Sequence, residues 1–350
     1  MLTDNVDIVR FDPADTTAFQ GCAAVWQAVV NADFADLAPF TARVLRVWLE
    51  RGFMGDPAEA WFVRVPATGD VAGWYRLELP DLENKDRAAL HIVVHPDRRR
   101  QGFGRTLLRH AAERAAAAGR STLGGEVRDG SAGDAFAART GAAPGIAGAV
   151  RQLDLRRVPD GKFAGLRADA ERAAAGYSLV TWTGSTPERY LGPLADVMNA
   201  YADAPHDAGV ETGALDAARL RDRVDATDDA MGGRRYTVGA VHDATGTLAA
   251  MTQLIVNPDA PRWAMQALTA VRREHRGHRL GLLVKLANLE WIAAAEPQVD
   301  RVETGNASGN AHMIAVNDAL GFELVPPAFH NVELDVAKAA GSLRTARAQS

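Results

Sequence analysis

The sequence predicts an α/β protein built from two copies of one module, each a mixed, mostly antiparallel twisted sheet flanked by helices. Three observations carry this. The chain has 350 residues, more than a single core of roughly 150 occupies, and its 47% hydrophobic content suffices for two cores. The stretch 94–104, VHPDRRRQGFG, reads against 271–281, VRREHRGHRLG, at an offset of 177 positions, and Thr68-Gly69 reads against Thr245-Gly246 at the same offset. Within each copy, runs with the two-residue period of strands give way to runs with helical period.

In the first copy, 60–65 alternates into the turn Ala67-Thr68-Gly69-Asp70 and 71–79 follows, the pattern of a β-hairpin. The next strand, 89–94, is an apolar run broken only by His91, and Pro96 ends it because proline has no N–H for a ladder. Leu107, Leu108, Ala111, Ala112, Ala115 and Ala116 then recur at helical spacing up to Gly119, a C-terminal stop. A strand over 121–127, a helix over 133–139 and a strand over 149–155 complete the unit. The second copy runs as strands over 236–241, 248–256 and 264–271, a helix over 280–295, a strand over 299–304, a helix over 312–320 stopped by Gly321, and a strand over 331–336. A polar, alanine-rich helix over 163–175 lies between Gly161 and Gly176. The expected organisation is a module over 1–158, a linker helix within 159–176, a second module over 177–337 and a frayed tail over 338–350.

Charge and cysteine usage narrow the function. With 39 Lys+Arg against 44 Asp+Glu, the chain lacks the basic excess that nucleic-acid binding needs. The single cysteine, Cys22, excludes an intramolecular disulfide and multi-cysteine metal sites, which fits a reducing, cytoplasmic compartment. No apolar run approaches the roughly 18 residues of a membrane helix, and the start, MLTDNVDIVRFDPAD, has neither a basic nor an apolar leader region. No metal site is expected, because the histidines do not converge with carboxylates at ligand spacing.

The repeated turn carries the chemistry. A glycine-rich turn between a strand and a helix gathers unpaired N–H groups at the positive end of the helix dipole, where phosphate binds. Arginines add charge for a polyphosphate. Neither turn has the Gly-Lys-Ser/Thr of a nucleotide-triphosphate loop or the Gly-x-Gly-x-x-Gly of a dinucleotide fold, so kinase chemistry is disfavoured.

At these residues the sequence resembles the GCN5-related N-acetyltransferases (GNAT), whose signature is Gln/Arg-x-x-Gly-x-Gly/Ala after a strand. The resemblance spans nearly the whole chain and, with its duplication, is similar to two-module enzymes of the mycothiol-synthase kind. Arg99-x-x-Gly102-x-Gly104 satisfies the signature; Arg276-x-x-Arg279-x-Gly281 has Arg279 in place of the middle glycine, with Gly277 two residues earlier. The resemblance implies acetyl-CoA as co-substrate, its pyrophosphate held by Arg99, Arg100, Gln101, Gly102, Phe103, Gly104 and Arg105 in one copy and by Arg276, Gly277, His278, Arg279, Leu280 and Gly281 in the other. The strand before each turn, near Val94 and Val271, would face the pantetheine arm. It further implies an N-acetyltransferase acting on the amine of a small molecule, as a monomer or homodimer.

The family also often has Asn-x-x-x-x-x-x-Tyr-x-x-x-Gly-Phe, whose Tyr can protonate the departing thiolate. The second copy keeps Asn310 and Gly321-Phe322, with Asn306 upstream, but has Asn317 where Tyr is expected; the first copy, over 134–142, has neither the Asn nor the Gly-Phe. Catalysis is therefore expected in the second copy, with Asn306 and Asn310 on the coenzyme side, helix capping being their alternative role. Candidate catalytic residues are Asn317, Glu303 and Asp207, with Asp203 and Glu211 as further acidic lures for a cationic amine. Tyr201 and Tyr236 are alternative acids, and His91 an alternative base. The rival reading is a non-catalytic acyl-CoA sensor or scaffold built from degraded modules.

Overall fold

The structure, a computed structural model, describes residues 6–52 and 55–341, apart from the Tyr201 side chain. The first half comprises β1 (Ile8–Arg10), α1 (Thr16–Asp33), α2 (Ala42–Glu50), β2 (Ala58–Arg64), β3 (Val71–Glu78), β4 (Arg87–Val94), α3 (Phe103–Ala117), β5 (Thr122–Arg128), α4 (Ala132–Thr140) and β6 (Ala143–Asp154). After α5 (Lys162–Ala173) come β7 (Tyr177–Thr183), α6 (Glu188–Asn199), α7 (Ala217–Arg219), α8 (Ala226–Met231), β8 (Arg234–His242), β9 (Thr247–Val256) and β10 (Trp263–Val271). The chain ends with α9 (Leu280–Ala295), β11 (Arg301–Ala307), α10 (Ala311–Leu320), β12 (Glu323–Asp335) and α11 (Val336–Gly341). The tail expected over 338–350 thus begins inside α11, and from 342 it lies outside the described residues.

These elements form two compact units. Unit 1 holds the residues up to Ala147, Asp207–Glu211 and those from Pro327; unit 2 holds Gly148–His206 and Thr212–Pro326. In unit 1 the strands run β1-β2-β3-β4-β5-β12, antiparallel except for the parallel pair β4–β5. In unit 2 the order is β6-β11-β10-β9-β8-β7, with β10–β11 parallel. The sheets are thus mixed and mostly antiparallel, as the sequence predicts. Each repeat's last strand completes the other repeat's sheet: β12 pairs with β5, and β6 pairs with β11 from Ala307↔Gly148 to Arg301↔Asp154.

Burial explains the layers. In unit 1, β3 is buried along its whole length. Trp74 and Phe62 pack beneath Phe19, Val25 and Leu45 of α1 and α2, while Tyr75 and Leu77 pack with Leu107, Leu108 and Ala111 of α3. Asp15 caps α1, and Ala18, Phe19, Cys22, Val25 and Val29 form its buried stripe. In unit 2, α9 is apolar nearly all round, and Leu283, Leu286, Leu289 and Ile292 fill the core against β8, β9 and β11. Ala170 and Ala174, on and just after α5, join that core, so the expected linker helix is packed structure. No helix among the described residues is long and apolar enough to cross a membrane.

Because Leu334 of β12 is buried in the α3-side core of unit 1, Leu334→Ala should cost about 3 kcal/mol in chemical denaturation. Amide exchange should accelerate at β5. Acceleration confined to β11 would refute this strand assignment.

Candidate acyl-transfer site

Both repeated turns adopt one backbone path from different residues. In unit 1 the left-handed positions are Arg100 (φ 63°) and Gly102 (φ 103°); in unit 2 they are Gly277 (φ 90°) and Arg279 (φ 52°). At the offset of 177 these are the same two positions with glycine and arginine exchanged. Arg279 in place of the signature glycine therefore keeps the turn, at the roughly 1–2 kcal/mol that a Cβ costs in the left-handed region. Neither α3 nor α9 has a side-chain N-cap, so their first N–H groups remain uncapped. Gly104 lets α3 approach α4, a Cβ there lying 3.3 Å from the Phe136 ring, while Gly281 leaves 3.7 Å to Val271.

The arginines divide into tied and untied. Arg99 forks onto both carboxylate oxygens of Asp33 at the end of α1. Its counterpart Arg276, with Arg273, clamps Asp203 beyond α6, each at 2.6 Å. These guanidinium hydrogen bonds hold the Asp203 carboxyl well below the usual carboxylate range, so Asp203 is already neutralised as a lure. Arg100, Arg105 and Arg279 are exposed, as is His278. A hollow of about 270 Å³ lined by Asp196, Asn199, Asp203, Arg272 and Arg273 lies beside the second turn.

The strands before the turns open in both units. Parallel pairing of β4 with β5 runs only from Arg87↔Thr122 to Ala89↔Gly124, and that of β10 with β11 only from Trp263↔Arg301 to Met265↔Glu303. The units also share a bulge on the hairpin strand, at Val63/Arg64 and Ala240/Val241. One feature is confined to unit 2. β10 carries an extra residue against β9 between Gln266 and Thr269, whereas β4 stays in unbroken register with β3 from Glu78↔Ala89 to Gly73↔Val94. Ala267 and Leu268 sit in that bulge, at the start of the opened segment. Buried Gln266 donates to Thr252 Oγ1 and to the Gln253 carbonyl, Thr252 meets Thr269 at 2.7 Å, and Thr304 donates to the Gln266 carbonyl. Sequence reasoning misses this cluster, whose only trace is polar residues in an otherwise apolar strand.

A model described as the acetyltransferase (GNAT) family matches residues 26–133, within unit 1. The chain is 34% identical to the solved structure of a tandem GNAT protein from the clavulanic acid biosynthesis pathway, covering 95% of this chain and 99% of that one with a TM-score of 0.78. The chain belongs to the tandem GNAT family. A GCN5-related N-acetyltransferase from Sphaerobacter thermophilus, at 16% identity, TM-score 0.66 and coverage of 96% and 97%, shares the fold. So does a glucosamine N-acetyltransferase region of a fungal multi-domain GH3 β-N-acetylglucosaminidase, at 14% identity and TM-score 0.63, covering 95% of this chain and 38% of that one. No curated protein matches.

Within the second GNAT module, Asn317 occupies the position where the family pattern has Tyr, but not at a free surface. It is fully buried, accepts a 2.8 Å hydrogen bond from Lys285 Nζ and donates at 2.7 Å to Asn306 Oδ1 on β11. Lys285 is itself buried, 5.1 Å from the Phe322 ring centroid. Asn310 caps α10 by accepting from the Met313 N–H. Buried Glu303 accepts from Gln152 at 2.9 Å. Asp207 lies in unit 1, where it takes the Ile146 N–H and the Asn331 amide; Glu211, also in unit 1, pairs with Asn84.

The alternative acids and bases are occupied. Tyr236 donates to Glu296, and burial raises its pKa; the Tyr201 side chain lies outside the described residues. Burial and the Arg76 charge push His91 down to about 3, which makes it a weak base. His275 meets the Tyr177 hydroxyl at 2.9 Å. No group of three or more His, Cys, Asp or Glu side chains among the described residues could hold a metal ion.

Burial lowers the Lys285 pKa from 10.5 to about 7. Between those values the unfolded chain holds a proton that the folded chain has lost, so stability climbs with pH there, and the burial penalty is full only below about 7. Lys285→Met should therefore be more stable than the parent at pH 6.5 and lose the parent's climb towards pH 10, as read by denaturant midpoints. Parallel curves for the two proteins would contradict a buried, proton-releasing lysine.

Proposed function

We propose that the chain transfers an acetyl group from acetyl-CoA to the amine of a small molecule, that unit 2 performs the transfer, and that unit 1 binds coenzyme A without turnover or serves as scaffold. The observation that carries this assignment is the β10 bulge beside the opened β10–β11 pair, which unit 1 lacks. Both turns fit a pyrophosphate through uncapped helix N-termini, two left-handed residues and exposed arginines.

Acetyl-CoA supplies an acyl thioester. The bulge sets Ala267 and Leu268 together opposite the single residue Gln253, and their N–H groups are the proposed donors to charge developing on the carbonyl oxygen. The amine lone pair forms the C–N bond as the C–S bond breaks and the sulfur leaves with the bonding pair. Glu303 is the carboxylate retained to take the amine proton, directly or through water. Asp207 belongs to unit 1 and is given no role in this transfer.

Calorimetric titration with acetyl-CoA and thiol release with a panel of small amines test this reading. Gly277→Asp should weaken binding more than about tenfold and remove turnover, whereas Gly102→Asp should spare turnover. Ala267→Pro, which deletes one backbone donor, should lower kcat by roughly two orders of magnitude. Loss of turnover with Gly102→Asp alone would move catalysis to unit 1. Binding without turnover of any amine would favour an acyl-CoA sensor, and absence of binding would end both readings.

A further inference from the structure

The buried Lys285 demands an explanation that packing does not provide. It is 1% exposed, its Nζ donates to the Asn317 amide oxygen and lies over the Phe322 ring, and no carboxylate among the described residues forms an ion pair with it. Burying an ammonium without a counter-ion is costly. Unit 1 shows that the fold does without it. The counterpart of Lys285 at the repeat offset is Leu108, and the counterpart of Asn317, four residues before the glycine that stops its helix, is Ala137; both are buried. One copy thus has buried leucine and alanine at these positions, and the other keeps a Lys–Asn pair.

Donor and acceptor bookkeeping gives the pair a direction. A lysine ammonium has three donors and no acceptor, so it fixes Asn317 with Oδ1 towards Lys285. The Asn317 amide N–H then faces Asn306 Oδ1. That leaves the Asn306 NH₂ group as the outer end of the chain, half-buried on β11 beyond the last parallel pair, Met265↔Glu303. A neutral amine could accept as well as donate and would not enforce this order. Around Lys285, α5, β8, β9 and β10 pack against α9, and this burial lowers its proton affinity.

We propose that Lys285 is a positioning residue for acyl transfer in unit 2: by fixing Asn317 it turns the Asn306 amide N–H groups towards the β10–β11 opening, where they and the buried charge stabilise the departing thiolate in place of a tyrosine. This rests on the function proposed above. The thiolate leaves with the C–S bonding pair and takes its proton from solvent; Lys285 transfers none.

The test uses free coenzyme A bound to the full chain, so it needs no acceptor amine. The bound thiol is titrated by thiolate absorbance in the Gly102→Asp background, which confines the signal to unit 2. At pH 6.5, where Lys285 is charged, the thiolate fraction of bound coenzyme A should exceed that of free coenzyme A, whose thiol has the ordinary pKa of about 8.5, by about tenfold, and Lys285→Met should abolish the excess. Lys285→Leu with Asn317→Ala, which copies the residue pair of unit 1, should do the same while keeping the fold and coenzyme A affinity within about threefold. In turnover, the ratio of parent to Lys285→Met kcat should be about tenfold at pH 6.5 and approach unity by pH 9, with KM for acetyl-CoA little changed. A bound thiol unshifted in the parent, or shifted equally in the variants, would overturn the role of Lys285 and leave the acetyltransferase reading intact. Failure of coenzyme A to bind would overturn both.

Discussion

A parallel strand pair that parts after three residues is the constraint on which the site depends. Backbone N–H and C=O groups in a sheet interior must find partners, so strands that separate leave groups that a ligand, a side chain or water must satisfy. Both units have this opening. Unit 2 widens its consequence, because the bulge at Ala267 and Leu268 withdraws β10 from its antiparallel neighbour at the same height. A bulge re-aims backbone groups and interrupts pairing. Here hydrogen bonds among Gln266, Thr252 and Thr269 flank it. Unit 1, with the unbroken β3–β4 register, has the opening without the bulge.

The two turns show how a backbone path can outlast its signature. The left-handed residues fall at equivalent positions, and glycine and arginine have changed places between them. The strain moves from Arg100 in one unit to Arg279 in the other, while the helix N-terminus that follows stays uncapped in both. A motif match alone ranks the first turn above the second. The dihedral angles rank them equal, so the distinction between the units rests on the strands and on α10.

Much of this was legible in the sequence, and for identifiable reasons. Periodicity and the stops at Pro96, Gly119 and Gly321 locate β4, α3, α9 and α10 to within a few residues, because those signals are local. Strand partners are not local. Nothing in 149–155 or 331–336 states that β6 pairs with β11 and β12 with β5, or that each strand starts well before those ranges. The alternation of a strand specifies which face is buried, not which neighbour it meets. The helices α1 and α2 lie outside the stretch in which the copies resemble one another, although Phe19, Cys22, Val25 and Val29 repeat at helical spacing. At the site, the turns and the substitution at Asn317 were readable. Lys285 was not, since a lysine in a helical stretch reads as a solvated face and only the fold reveals it beside Phe322.

Electrostatics at the turns argues for recognition by backbone more than by charge. The signature arginine of each copy is occupied, Arg99 by Asp33 and Arg276 by Asp203. These pairs join the first turn to the end of α1 and the second to the segment after α6, where Asp203 also lines the neighbouring hollow. What remains for an anion is the helix N-terminus with its uncapped N–H groups and the exposed, mobile-stemmed Arg100, Arg105 and Arg279. The first is preorganised and specific in direction; the second adds attraction that salt screens. Under the proposed function, such a turn tolerates exchange of glycine and arginine because the path of the chain, which both units share, would do the recognising.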